Sequence, residues 1–405
     1  GNFFSLGGSW RIDQENFMSD VSFINNLKLR ASYGEVGNDD LNNFYIYQAL
    51  YEIIPNAGNP GIFWASTGNE QLTWENQVSW DVALDFGLFD NTLEGSVEFY
   101  RKTSQDLLFN KPIPFSEGLN EAPQNVGDIY NQGLEVSLTG HFFKQNEFNW
   151  DVTVQASTFK NEITSLDSPV TNGTKRWEVG RSRYDYFIHH YAGVDPDNGD
   201  ALYYMFEEDL DSGQMVPVKN DDGSHKTTND FQAANRAFTG DSSIPDLIGS
   251  VQNRLSYKGF GLDFLVTFGI GGKALDNGYS NLMSSTGYGN ALHADANNAW
   301  RNPGDITDVP RLEIGNPNQT VWNSTRFLTD ASYWTLRNVN LSYDLDKELT
   351  DKLGINRLRL FMSGENLFVS AKRRGMNPQQ TLSGVQSGNT FNPNRVVSFG
   401  VNLAF

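Results

Sequence analysis

The sequence contains no cysteine. That absence excludes a disulfide scaffold, an iron–sulfur cluster and a thiolate zinc site. Nowhere do about eighteen apolar residues run together, so the chain encodes no transmembrane helix. A β-barrel span escapes that test, because its apolar residues alternate with polar ones. Positive charge is scarce, with 30 Lys and Arg against 49 Asp and Glu and a formal net charge of −19. Lacking a basic footprint, the chain is not expected to bind nucleic acid. Apolar residues are few too, 38% of 405 positions, whereas aromatics are plentiful at 13%. A closed sheet with a thin apolar belt, a polar lumen and aromatic girdles has that pairing. A secreted all-β protein with exposed aromatics has it as well, so composition alone leaves both open. No export signal opens the chain, and Asn2, Phe3 and Phe4 already read as strand. An exported protein would therefore begin upstream, and the sequence is expected to be a piece of a longer one.

Period-two alternation runs almost from end to end. Val78, Trp80, Val82, Leu84 and Phe86 share one face, while Gln77, Ser79, Asp81 and Asp85 share the other. Leu134, Val136 and Leu138 alternate with Glu135, Ser137 and Thr139, and Leu262, Phe264, Val266, Phe268 and Ile270 form another row. Val339, Leu341, Tyr343 and Leu345 oppose Asn340, Ser342 and Asp344. Helical spacing is rare; residues 346–353 carry the best instance.

This alternation predicts thirteen strands, near 3–12, 27–36, 76–88, 92–108, 131–140, 148–162, 184–194, 200–206, 246–257, 260–270, 332–345, 356–369 and 395–405. An extra hairpin is placed near 44–54. Between strands the connections alternate short and long. Asp90-Asn91, 141–147, Asp195–Asp200, Lys258-Gly259 and 346–355 are short; 109–130, 163–183, 207–245, 271–331 and 370–394 are long. Outer-membrane barrels sort their connections this way, with brief periplasmic turns and extended extracellular loops. An odd strand number cannot close a barrel with both ends in the periplasm, so upstream strands are expected to complete it.

The C-terminal strand has Val397, Phe399, Val401, Leu403 and Phe405 on one face and Ser398, Gly400, Asn402 and Ala404 on the other. The first face suits lipid and the second a lumen. Phe399, Val401, Leu403 and the terminal Phe405 resemble the signal read by the outer-membrane assembly machinery. The plainer alternative is a soluble sheet whose last strand ends in Phe.

Several motifs, in order along nearly the whole chain, resemble the SusC/RagA family of TonB-dependent outer-membrane transporters. Leu27-Lys28-Leu29-Arg30-Ala31-Ser32-Tyr33-Gly34 followed by Gly37-Asn38 is similar to one of its strands. Leu72-Thr73-Trp74-Glu75 and Asn131-Gln132-Gly133-Leu134-Glu135 resemble two more, and Gly193-Val194-Asp195-Pro196 with Gly199-Asp200 resembles its Asp-Pro turn. Asp330-Ala331-Ser332-Tyr333-Trp334 with Leu336-Arg337-Asn338-Val339, and Gly364-Glu365-Asn366-Leu367-Phe368, are the last. The resemblance implies an all-β transmembrane up-and-down barrel, these strands being about the last thirteen of twenty-two. It also implies a plug outside this chain, a SusD-like surface lipoprotein as lid, and coupling to the TonB complex through the missing N-terminal part. Oligosaccharide or peptide import, mostly in Bacteroidota, follows from the same likeness.

Residues able to carry chemistry are sparse. His189 and His190 are adjacent on a strand, so their rings point to opposite faces and do not chelate one metal together. His141, His225 and His293 lie apart, and no HExxH, GxSxG or P-loop occurs. Asp195, Asp197 and Asp200 have a faint calcium-loop look, but a tight turn wants Asp, Asn and Gly for backbone reasons. The candidate substrate or lid contacts are Trp64, Trp177, Trp300 and Trp322, all in long loops, where an indole face stacks on a sugar ring or an apolar side chain. Loop packing is the structural alternative for each. No catalytic, cofactor or metal site is expected, and residues 1–405 are read as one barrel portion. The functional expectation is nutrient import; an accessory subunit of a larger outer-membrane complex and a secreted glycan-binding protein or glycosidase are the rivals.

Overall fold

The computed structural model describes the chain except residues 1, 40–44, 46, 144–146, 285–288, 353, 378, 380–381 and 387–391. Two compact units emerge: Gly1–His141 with Gln155–Asn172 and Trp177–Arg183, and Phe142–Val154 with Gly173–Arg176 and Tyr184–Phe405. Among the described residues the main sheet has eleven strands, hydrogen-bonded in their order along the chain. These are β1 (Ser5–Arg11), β2 (Ile24–Asn38), β3 (Glu75–Leu88), β4 (Leu93–Gln105), β5 (Asp128–Phe142), β6 (Phe148–Ser165), β7 (Leu247–Tyr257), β8 (Phe260–Ile270), β9 (Tyr333–Asp344), β10 (Arg357–Ala371) and β11 (Val396–Ala404).

In the first unit the antiparallel registers set Leu29, Leu84, Val97 and Val136 side by side, and Ala31, Val82, Phe99 and Leu134 in the next such row. Between these rows, on the opposite face, stand Arg30, Ala83, Glu98 and Glu135. The second unit repeats the scheme. Leu255, Leu262, Leu341, Met362 and Phe399 make one row, and Arg254, Asp263, Asn340, Ser363 and Ser398 stand on the other face. The apolar rows lack a protein cover even on interior strands: Leu134 is 42% exposed and Leu341 45%. Burying one such side chain is worth about 1.5–3 kcal/mol. Rows of them left open are stable only in an apolar medium.

Turn chemistry fixes the registers. Lys258 and Gly259 both have positive φ, 47° and 84°, the geometry of a two-residue hairpin that matches strand twist. A side chain at position 259 would stand 2.6 Å from the Asp344 carbonyl oxygen, so only glycine fits. Arg337 is passed over in the registers of β9 with both β8 and β10, which makes it a bulge. A short helix, Lys347–Lys352, sits in the β9–β10 connection as the sequence suggests.

The buried core of the second unit is built largely by its connections. Tyr186, Ile188, Leu275, Met283, Val309 and Phe327 form one cluster; Ala201, Tyr203, Ala234 and Val321 form another.

Eleven of the thirteen predicted strands enter the sheet; segments 184–194 and 200–206 do not. The first breaks into Asp185–Ile188 and Tyr191–Val194, which join two different small sheets, and Ala201–Tyr204 joins the second of these. Tyr186, Phe187, Ile188 and His189 are buried in succession, so both faces of that segment meet protein. Ala201 and Tyr203 do alternate with their neighbours, but they pack with Val321 rather than lying open. Asp195–Asp200 is accordingly a turn inside one long connection, 166–246, rather than a short turn of the sheet. Sorting by length survives this correction: 89–92, 143–147 and 258–259 are brief, while 39–74, 106–127, 166–246 and 271–332 are long. The extra hairpin exists but is displaced, with strands Leu50–Asn56 and Asn59–Ser66. Part of the 44–54 segment lies outside the described residues.

Candidate functional site

The sheet's polar face is organised around Arg30. Its Nε lies 3.2 Å from the Asp85 carboxylate and its Nη2 2.8 Å from that of Glu98. Ala83 separates Arg30 from Glu98 in the register and is almost wholly covered, so its small side chain lets the guanidinium reach across β3. Towards the short-turn end, the same face opens into a hollow of about 420 Å³ whose lining includes Asp85, Glu94, Ser96, Ser137 and Thr139. Charged and hydroxylic groups facing a cavity suit contact with water and polar solutes.

The long connections hold the aromatic candidates. In the first unit, Trp64 stands opposite Tyr51 in the small hairpin, and its ring lies against Gly118. Trp177 meets the Phe109 ring at 5.1 Å, and the Arg183 guanidinium lies 5.2 Å from the Trp177 ring centre. Cation–π and tilted ring contacts of this kind fix an indole plane. In the second unit, Trp300 is a packing residue. Its Nε1 donates to the Pro196 carbonyl at 3.0 Å, and its ring covers Gly199 so closely that a Cβ there would stand 2.3 Å away. Trp322 is 44% exposed, beside the buried Val321. Within each unit the two indoles therefore sit on separate partners and do not form one platform. On β11, Phe399, Val401 and Leu403 pair with Met362, Leu360 and Leu358 of β10, and all three, with Phe405, are exposed.

Three polar features of the second unit have partners that the sequence did not indicate. Asp200 accepts from Arg311 Nε at 3.0 Å, Gln319 Nε2 at 2.9 Å and Asn229 Nδ2 at 2.9 Å. Burial pushes its carboxyl up, but these donors and the Arg311 charge outweigh that and hold it below the usual range. Its oxygens are thus occupied by protein donors. Lys175 is buried. Its Nζ donates to the Tyr184 carbonyl at 2.5 Å and to Ser243 Oγ at 3.2 Å, and lies 3.1 Å from the Tyr186 ring centre. Burial lowers the ammonium pKa to about 7, and only Asp185 pulls it back. His189 Nδ1 approaches the Asn235 carbonyl at 3.1 Å, and burial, with Arg236 nearby, lowers its pKa to about 4. His190 instead packs on Phe206 and reaches the Ala237 carbonyl. The adjacent rings so take separate partners, although neither lies within a strand, because the segment breaks between Ile188 and Tyr191. Only the pairing of distant segments reveals these contacts, since Asp200 and Gln319 lie in different connections.

With an exposed apolar face and a charged opposite face on the same meandering strands, the molecule has the build of a transmembrane β-barrel. The chain belongs to the family of TonB-dependent receptor-like β-barrels, whose sequence profile matches residues 2–367. Among its relatives are a TonB-dependent receptor of Formosa agariphila, 30% identical over 94% of this chain and 40% of that protein, and the TonB-dependent receptor SusC of Bacteroides thetaiotaomicron, 27% identical over 100% of this chain and 40% of that one. The solved RagAB peptide importer in its closed-closed state superposes with a TM-score of 0.85 at 27% identity, covering 100% of this chain and 43% of its own. The chain thus spans about two-fifths of the length of these relatives. Together these matches place it among SusC- and RagA-like TonB-dependent receptors.

Proposed function

We propose that residues 1–405 are the C-terminal barrel portion of an importer of oligosaccharides or peptides. It works in the outer membrane of a Gram-negative bacterium of the Bacteroidota, with a SusD-like surface lipoprotein as its lid. The TonB complex acts through parts of the protein outside this chain, and no covalent chemistry occurs here. In this reading the polar face of Arg30, Asp85 and Glu98 lines the wet path, and the apolar rows touch lipid. The long connections project outward, where Trp64, Trp177 and Trp322 meet substrate or lid while Trp300 holds its loop together. Phe399, Val401, Leu403 and Phe405 are the segment recognised during barrel assembly.

One observation supports this above the rest: the same strands carry uncovered apolar rows on one side and a hydrogen-bonded charged wall on the other. The test is uptake of labelled malto-oligosaccharides and short peptides by cells carrying or lacking the full-length gene and its neighbouring lipoprotein gene, with and without a protonophore. Uptake of one class that requires both the gene and the proton gradient is expected. If neither class enters and the protein co-purifies with other outer-membrane proteins instead, it is an accessory barrel subunit and the importer reading fails.

A further inference from the structure

At the long-connection end of β4, β5 and β6, the first unit encloses a cavity of about 220 Å³. Val126, Ile129 and Ile163, all buried, line its depth. Leu107, Leu108 and Leu166 add aliphatic walls, and the Phe109–Trp177 pair adds an aromatic one. Among its described lining side chains, Ser165 and Arg183 are the polar ones besides the Trp177 indole N–H, and both are exposed, which puts them at the mouth. Ile129 lies on the polar face of the sheet: it is paired with Ser104 and stands two residues from Asn131, the partner of Lys102. The cavity therefore opens on the side of the charged wall rather than on the side of the apolar rows.

The walls are held by backbone hydrogen bonds. Val126 N–H donates to the Leu107 carbonyl at 2.7 Å, and Leu107 N–H to the Gly127 carbonyl at 3.2 Å. The 177–183 segment is tied to β6 by Gly180 N–H to the Ile163 carbonyl at 2.8 Å and Ile163 N–H to the Arg181 carbonyl at 2.9 Å. Asn161 Oδ1 accepts from Arg183 N–H and from Ser182 Oγ, each at 3.0 Å, while its Nδ2 donates to Asn131 Oδ1 at 2.8 Å. Gly127 has φ +73°, and a Cβ there would stand 2.2 Å from the Ser165 carbonyl oxygen, so the close approach of the two walls depends on glycine. Such a cavity is preformed.

Its size and lining define the occupant. An apolar cavity of about 150 Å³ already holds benzene. A sugar ring brings several hydroxyls, and each one buried without a partner weakens binding by about tenfold. Six aliphatic walls supply no such partner. We infer that this cavity is a binding site for a single apolar side chain, branched aliphatic or one aromatic ring, of a peptide substrate, with the Arg183 guanidinium at the mouth taking a neighbouring carbonyl. The Arg183 guanidinium, 5.2 Å from the Trp177 ring centre, carries five N–H donors in a planar fork. The ligand class rests on the importer reading above; the cavity does not.

The test uses the full-length protein with its lid in lipid nanodiscs, titrated with Gly-Gly-Leu-Gly-Gly, Gly-Gly-Ser-Gly-Gly and maltopentaose. Each methylene buried from water is worth about fourfold in affinity. The leucine peptide is expected to bind at least about tenfold more tightly than the serine peptide. Leu166→Trp, which fills the cavity from a half-buried wall, is expected to abolish that preference. Arg183→Gln is expected to weaken the leucine and serine peptides alike. Equal affinity of the two peptides for the unaltered protein, or tighter binding of maltopentaose displaced by the leucine peptide, overturns the assignment. Xenon-pressurised crystals of the full-length protein read the cavity independently: xenon density there is expected, and its absence overturns the site itself. Failure of the cell-uptake assay with leucine preference intact removes the importer reading and leaves the apolar site supported.

Discussion

Replacing Lys175 by Met removes a buried amine and should erase a pH dependence. In the folded protein the amine prefers to be neutral: burial lowers its pKa from 10.5 to about 7. That difference corresponds to a bias on the order of 5 kcal/mol at most between the two charge states. When the Gly173–Arg176 segment opens from Asp185–Ile188, the amine returns to water and takes up a proton. Between pH 7 and 10.5 the open state therefore binds more protons than the closed one. The closed state gains stability as pH rises through that window and is insensitive to this lysine below it. Opening should become about eightfold rarer between pH 7.5 and 8.5. The assay is hydrogen exchange at the Phe187 amide, which donates to the Thr174 carbonyl at 2.9 Å, corrected for the intrinsic exchange rate. Lys175→Met should flatten the slope without weakening the segment. The Tyr184 carbonyl keeps Ser243 Oγ within 3.4 Å, so it is not left without a donor when the amine is exchanged for an apolar group of similar volume. An unchanged slope in the variant would refute the reasoning, because some other group would then be titrating.

Two further perturbations probe different parts of the molecule. Leu341→Arg puts a charge in the row of Leu262, Met362 and Phe399, and should cost about 2–4 kcal/mol if that row sits near the bilayer midplane; an undiminished yield of the heat-modifiable folded band after refolding into vesicles would show that the row does not face lipid. Gly199→Val combines a φ of +78° with a Cβ 2.3 Å from the Trp300 ring, so it should displace the indole and destabilise its turn by about 2 kcal/mol or more, seen as faster limited proteolysis near 195–200.

What the sequence disclosed, it disclosed through periodicity. Rows such as Val78, Trp80, Val82 and Leu84 state that one face meets an apolar environment, and all eleven sheet strands were legible on that basis. Periodicity does not say which apolar environment. Ala201 and Tyr203 alternate as cleanly as a lipid-facing pair, yet their cover is Val321, more than a hundred residues away, so segment 200–206 was misread. Turn chemistry carried further, since Lys258-Gly259 specifies its hairpin locally. The candidate indoles were visible as residues but not as contacts: that Trp300 is tied to Pro196 while Trp177 borders a cavity depends on which connections fold together. Lys175, Ser243 and Tyr184 come from three separate segments and carry no spacing signal at all.

The placement of the compact clusters in the connections divides this chain between two rules of substitution. A fluid of acyl tails refits itself around whatever methyl or phenyl it meets, so Val, Leu and Phe along the strand exteriors are nearly interchangeable there. No such accommodation exists around Tyr186, Leu275 and Phe327, whose neighbours are fixed atoms. The long connections, ordinarily the freest territory of such a barrel, are here the part whose shape a single methylene can spoil.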